Sequence, residues 1–167
     1  MTKFDILTMP AYQDSRPGEE MAQEIIKKVF NVSIVENDKT PGRDNYREYD
    51  FKTSNGIKYE VKEDKRSLET GNFFIETAQN YGTGKKAACI KVTKSNYYMI
   101  LSGNKFYTIP TFILTCMIED LEQQDLNEPD IKKKKEKRHY DPIRVHTRYG
   151  YIIPIKDLKE YAKIIEF

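Results

Sequence analysis

The chain has 167 residues, 38% apolar and 32% charged, with a formal net charge of +2, proportions that suit one domain over residues 1–167 and leave little room for two. Twelve Tyr and eight Phe supply the bulk of a core and argue against a disordered polymer. No apolar run approaches the roughly 18 residues of a bilayer span, the first residues do not read as a signal peptide, and two cysteines 27 apart, Cys89 and Cys116, exclude a disulfide scaffold, so buried thiols in a reducing cytoplasm are expected.

The pattern after Pro17-Gly18 predicts an amphipathic helix over Glu19 to Phe30, with Met21, Ala22, Ile25, Ile26, Val29 and Phe30 on one side. Val32 to Val35 reads as a short strand, followed by a polar loop from Glu36 to Asn45. Tyr46 to Lys52 and Ile57 to Glu63 alternate apolar and polar around Ser54-Asn55-Gly56, the signature of a β-hairpin. Asn72 to Ala78 is a further expected strand, with Phe74 and Thr77 near the core. The segment Gly82 to Ser95 fits either a short helix or a turn. Tyr97 to Leu101 and Lys105 to Ile109 form a second hairpin around Ser102-Gly103-Asn104, and Pro110 opens a helix to about Gln124. Tyr149 to Ile155 reads as a last strand and Lys156 to Glu166 as a closing helix with a stripe of Leu158, Tyr161, Ile164 and Ile165. This order of elements implies a mixed α/β fold around a largely antiparallel or mixed sheet.

The first hairpin carries the chemistry. A three-residue turn with Gly56 left-handed puts Phe51 opposite Tyr59, Tyr49 opposite Val61 and Thr53 opposite Ile57, which makes one face consistently apolar. On the other face Asp50 then lies opposite Glu60, and Glu48 opposite Lys62. Two facing carboxylates repel, so a folding reason for them is missing unless a cation or a proton joins them. Hard oxygen donors suit Mg²⁺ or Mn²⁺, and a neighbouring ammonium such as Lys62 suits a reaction that builds negative charge on a phosphate.

Asp50, nine intervening residues, then Glu60-Val61-Lys62 resembles the core motif of the PD-(D/E)xK nuclease superfamily. The resemblance covers about Pro17 to Leu101 and implies a restriction-endonuclease-like core, a central mixed sheet flanked by helices. It further implies that Asp50, Glu60 and the Val61 carbonyl bind Mg²⁺ or Mn²⁺ and that Lys62 assists hydrolysis of DNA phosphodiesters. An acid of the first helix often completes such sites; Glu19 is the first candidate here, ahead of Glu20 and Glu24. The sequence departs from the family pattern in having Glu48-Tyr49-Asp50 without a preceding Pro. Thr70 to Glu76 is similar to a segment that follows this motif in some phage nucleases, which brings Glu76 and Gln79 near the site. The implied setting is recombination, repair or phage DNA processing, with a homodimer as a further expectation and the helix from Pro110 as its interface.

Charge adds a second line. Residues 131–148 carry a local balance of +6, leaving −4 for the rest of the chain, and an expected basic loop here would grip phosphates through Lys132, Lys133, Lys134, Lys135, Lys137 and Arg138. Lys85 and Lys86 are further phosphate-contact candidates, since Gly82-Thr83-Gly84-Lys85-Lys86 lacks the glycine and hydroxyl positions of a P-loop. His139 and His146 are too sparse for zinc, and Tyr140, Tyr149 and Tyr151 could stack unpaired bases. The competing class is a noncatalytic nucleic-acid-binding or assembly protein that retains the same fold.

Overall fold

The computed structural model describes residues 10–37, 39–41, 48–80, 84–127, 136–141 and 146–167. In chain order these form α1 (Pro10–Phe30), β1 (Ile34–Glu36), β2 (Phe51–Thr53), β3 (Lys58–Glu63), α2 (Ser67–Thr70), β4 (Asn72–Asn80), β5 (Lys85–Ala87), a 3₁₀ turn (Cys89–Lys91), β6 (Tyr97–Ser102) and β7 (Lys105–Pro110). They continue as α3 (Thr111–Asn127), β8 (Glu136–Asp141), β9 (His146–Pro154), α4 (Ile155–Leu158) and β10 (Lys163–Glu166).

The chain is mixed α/β, but its strands divide between two sheets rather than one. A six-stranded sheet has the order β1-β2-β3-β6-β7-β10, and a four-stranded sheet the order β5-β4-β9-β8. Among the described residues only β3 and β6 run parallel; the other paired strands are antiparallel. Among the described residues no helix is long and apolar enough to cross a membrane.

Side-chain alternation along the six-stranded sheet builds two cores. Tyr59 and Val61 of β3, Met99 and Leu101 of β6 and Phe106 of β7 face α1, where Ala22 and Ile26 are fully buried. Tyr98, Ile100, Tyr107 and Ile109 point the other way, onto Phe73 and Ile75 of β4, Tyr151 and Ile153 of β9, and Leu114 and Ile118 of α3. Helix α1 begins earlier than Glu19 and runs through Pro17, which forgoes one backbone hydrogen bond there. It stops at Asn31, whose φ of 51° is a left-handed value that Asn tolerates. Its buried stripe is narrower than the sequence suggests, because Met21, Val29 and Phe30 remain exposed.

Four expectations need correction. The C-terminal segment is not one helix. It turns once at Ile155–Leu158 and then adds β10 to the edge of β7, with Lys163 opposite Thr108 and Glu166 opposite Lys105. The β-branched pair Ile164-Ile165 suits this extended backbone, and of the expected stripe only Leu158 is fully buried. The β4 core residues are Phe73 and Ile75, together with Thr77, while Phe74 lies on the opposite face. The basic stretch is not simply a loop, since Glu136–Asp141 and His146–Pro154 pair as antiparallel strands. Neither cysteine is fully buried: Cys89 is half-buried and Cys116 exposed.

Candidate active site

The hairpin turn is as expected, and so is the register from it to Phe51, but not the pairing expected beyond. Phe51 pairs with Tyr59, the Thr53 amide donates to the Ile57 carbonyl at 2.9 Å, and Gly56 has a φ of 85°, a conformation that costs glycine least. Tyr49, Phe51, Thr53, Tyr59 and Val61 are all buried. The ladder stops at Phe51. The Asp50 amide donates to the Tyr59 carbonyl at 2.8 Å, so Asp50 does not pair with Glu60. Instead its carboxylate Oδ2 accepts the Val61 amide at 2.6 Å. Within a strand the N–H and C=O of one residue point to the same edge, so the Val61 carbonyl shares the edge at which Asp50 sits.

Glu60 and Lys62 project from the face of β3 opposite to Val61. The Glu60 side chain is 7% exposed, and its Oε1 lies 2.7 Å from Lys62 Nζ. Its Oε2 lies 3.3 Å from the hydroxyl of Thr93, which also donates to the Glu48 carbonyl at 2.8 Å. Glu48 does not face Lys62; its carboxylate pairs with Lys94, and the Lys94 amide donates to the Glu48 carbonyl at 2.6 Å. Residues 93–94 therefore fasten the chain just upstream of Asp50 and reach Glu60 as well. Sequence spacing gives no sign of this contact, which joins residues 33 apart in the chain.

Burial pushes the Asp50 carboxyl well above the usual carboxylate range, Glu60 and Glu19 push it further, and Lys62 and the Val61 amide oppose them. Glu19 is accordingly the acid of α1 that acts on Asp50. Glu20 lies 2.9 Å from Lys39 and Glu24 pairs with Lys27. Burial works to lower the Lys62 ammonium, yet Glu60, Cys89 and Asp50 together hold it well above the ordinary lysine value. Burial also pushes the Cys89 thiol up to about 12, assisted by Glu76 and Glu60 against the opposing Lys62.

Beside Lys62 opens a cleft of about 360 Å³, lined by residues of β3, β4, β6 and β9 and of the turn after β3. Phe74 and Ile152, paired across β4 and β9, form one wall, and Tyr98, Ile100, Lys65 and Arg66 also line the cleft. Glu76, 8% exposed, lies along the same wall, accepts from Gln79 Nε2 and lies 3.6 Å from Arg148 Nε. Glu76 and Gln79 therefore interact directly, with Glu76 lining the cleft. Sequence reasoning missed Phe74, Cys89 and Arg148 as lining residues of the cleft, and Thr93 as a partner of Glu60. Only the even spacing of Phe74 and Glu76 hinted that they share a face.

Among the described residues no three His, Cys, Asp or Glu side chains are gathered closely enough to hold a metal ion. The oxygens that suit a hard cation are the carboxylates of Asp50 and Glu60 and the Val61 carbonyl, with Glu19 further out. Mg²⁺ commonly takes only one or two protein carboxylates and fills its remaining positions with water and phosphate oxygens, so this donor set fits it. The Asp50 carboxyl is raised first by burial and then by the charge of Glu60 and Glu19 beside it, and a bound cation relieves both.

The candidate phosphate contacts are spread more widely. Lys85 and Lys86 lie on β5, one edge of the four-stranded sheet, with Lys85 Nζ 4.4 Å from the centre of the Tyr149 ring. Lys137 and Arg138 lie on β8, the opposite edge, at the register positions of Gly150 and Tyr149. Lys132, Lys133, Lys134 and Lys135 fall outside the described residues. Tyr151 is a core residue and so is unavailable for stacking on a strand. No family model matches the chain, and neither a curated protein nor a solved structure matches it.

Proposed function

We propose that the protein is a metal-dependent deoxyribonuclease with a restriction-endonuclease-like core, and that Asp50, Glu60 and Lys62 form its reacting centre. One observation carries this reading. The Asp50 carboxylate is bound to the amide of Val61, the residue between Glu60 and Lys62, so that one β-strand and the end of its partner collect two carboxylates, a backbone carbonyl and an ammonium. The packing of α1 on a mixed sheet whose β3 and β6 run parallel is compatible with the same core.

Asp50, Glu60 and the Val61 carbonyl would hold Mg²⁺ or Mn²⁺, and Glu19 adds negative charge behind Asp50. Such an ion supplies Lewis acidity toward phosphate oxygens and water. Lys62 would stabilise the negative charge that develops on the phosphate or help to activate the attacking water. Lys85, Lys86 and the basic segment Lys132 to Arg138 would hold flanking phosphates, which makes binding fall with salt.

The test is incubation with linear, circular, single-stranded and four-way-junction DNA in Mg²⁺, Mn²⁺ or EDTA. Cleavage that needs the metal and is lost in Lys62→Ala supports the proposal. DNA binding that survives Asp50→Ala and Glu60→Ala, with no cleavage of any substrate by the native protein, assigns it instead to the noncatalytic binding class.

A further inference from the structure

The cleft beside Lys62 is larger and more apolar than the proposed phosphate chemistry requires. Its wall is the directly opposed pair Phe74 and Ile152 on neighbouring strands, and Ile152 is 37% exposed. Tyr98 and Ile100, both almost wholly buried, also line the cleft. A site for phosphate alone needs donors rather than an aromatic and an aliphatic side chain, so a flat apolar group is the natural occupant.

Charge around this wall specifies what the flat group is attached to. Lys62, Lys65, Arg66 and Arg148 all line the same cleft. The acids among them are already engaged. Asp64 accepts the amides of Arg66 and Ser67, each at 3.1 Å, and of Phe74 at 2.9 Å. Glu63 lies 3.9 Å from Lys65, and Glu76 lies 3.6 Å from Arg148. An apolar slot that four cations also line matches a base flanked by phosphates. Its volume of about 360 Å³ is near the small end of ligand sites, room for one nucleotide. Paired bases stacked in a duplex cannot enter it; a base must first leave the stack.

Resting on the nuclease reading, we propose that this cleft seats one unpaired nucleotide next to the reacting centre, so that single-stranded or frayed DNA is the preferred substrate class over intact duplex. Phe74 stacks on the base, Ile152 closes the slot, and Arg66 with Lys65 meets the neighbouring phosphate.

Binding is measured in EDTA by fluorescence anisotropy with two probes, labelled oligo-dT and a blunt duplex of equal length. The native protein is expected to prefer oligo-dT. Phe74→Ala is expected to weaken oligo-dT binding about tenfold, with Phe74→Trp restoring it and duplex binding unchanged. Equal loss on both probes, or no loss on either, overturns the proposal. Because Phe74 is half-buried, melting curves accompany each variant. If Phe74→Ala does not fold, Ile152→Asp at the exposed position decides by the same criterion. A parallel cleavage assay in Mg²⁺ separates the two readings. Selective oligo-dT binding without cleavage removes the nuclease function and leaves the slot, whereas cleavage of both forms that is insensitive to Phe74 removes the slot and leaves the nuclease.

Discussion

Gly150 offers the most direct test of how the cleft wall is built. It lies opposite Glu76 in the β4–β9 ladder, at the point where the register shifts between Glu76 and Ala78. A Cβ added there would sit 2.8 Å from the Ile75 carbonyl carbon and 2.9 Å from the Glu76 Cα, and closer still to the Ile75 carbonyl oxygen. All of these neighbours are backbone, so no side chain can rotate away. Overpacking typically costs about 1–3 kcal/mol, and with only strand separation available Gly150→Ala should fall at the upper end, about 3 kcal/mol. For a chain of this size that corresponds to a melting temperature lower by about 6–12 °C. Thermal melts followed by circular dichroism, with urea titration in parallel, give both quantities. Gly18→Ala is the control. Its Cβ would meet Leu101 Cδ2 at an ordinary 3.6 Å, and alanine inside α1 should gain about 0.5–1 kcal/mol. A Gly150→Ala protein that melts within about 2 °C of the native one would refute the claim that close strand approach demands glycine here.

Three further predictions concern the reacting centre. Because the Asp50 carboxyl is raised in the folded protein, the stability it contributes is full below its ordinary value of 3.8 and is lost as pH rises through the elevated one. Asp50→Asn keeps an acceptor for the Val61 amide and should therefore make the metal-free protein more stable at neutral pH, with a gain over native that vanishes in acid; urea titrations across pH check the sign. Mg²⁺ should raise the melting temperature of the native protein, by an amount equivalent to about 2.7 kcal/mol at a hundredfold excess over Kd, and leave Asp50→Asn unmoved. Thr93→Val removes the hydroxyl that reaches both Glu60 and the Glu48 carbonyl. It should raise the Mg²⁺ concentration needed for half-maximal cleavage about tenfold, on the scale of a hydrogen bond to a charged group, whereas Thr93→Ser should behave like native.

Local pattern carried much of this architecture. The alternation and the turn at Gly56 were enough to give the register between Phe51 and Tyr59, because a single-residue slip would bury charges, but not the break in the ladder at Asp50. The second hairpin and α3 were legible from the same kind of signal. The failures share a cause. Phe73, Phe74 and Ile75 are three consecutive apolar residues, so period two cannot say which of them faces the core until β9 supplies Tyr151 and Ile153. Ile164 and Ile165 fit either a helix stripe or an edge strand, and the exposed edge of β7 decided between them. At the site itself, Glu60 and Lys62 were readable from their own strand. Thr93 and Arg148 come from distant segments, and nothing local in the sequence marks them.

The β4–β9 ladder binds segments that are far apart in the chain, as in the contact between Thr77 and Tyr149, 72 residues distant. Closing so long a loop is entropically costly before its contacts are made. Asp50, Glu60 and Lys62, by contrast, belong to one short antiparallel turn of chain. The acidic and basic groups can thus assemble from nearby sequence, while the chamber beside them exists only after residues beyond 146 have arrived. Any shortening of the chain before that point would leave the charged cluster facing solvent, without the wall that gives it shape.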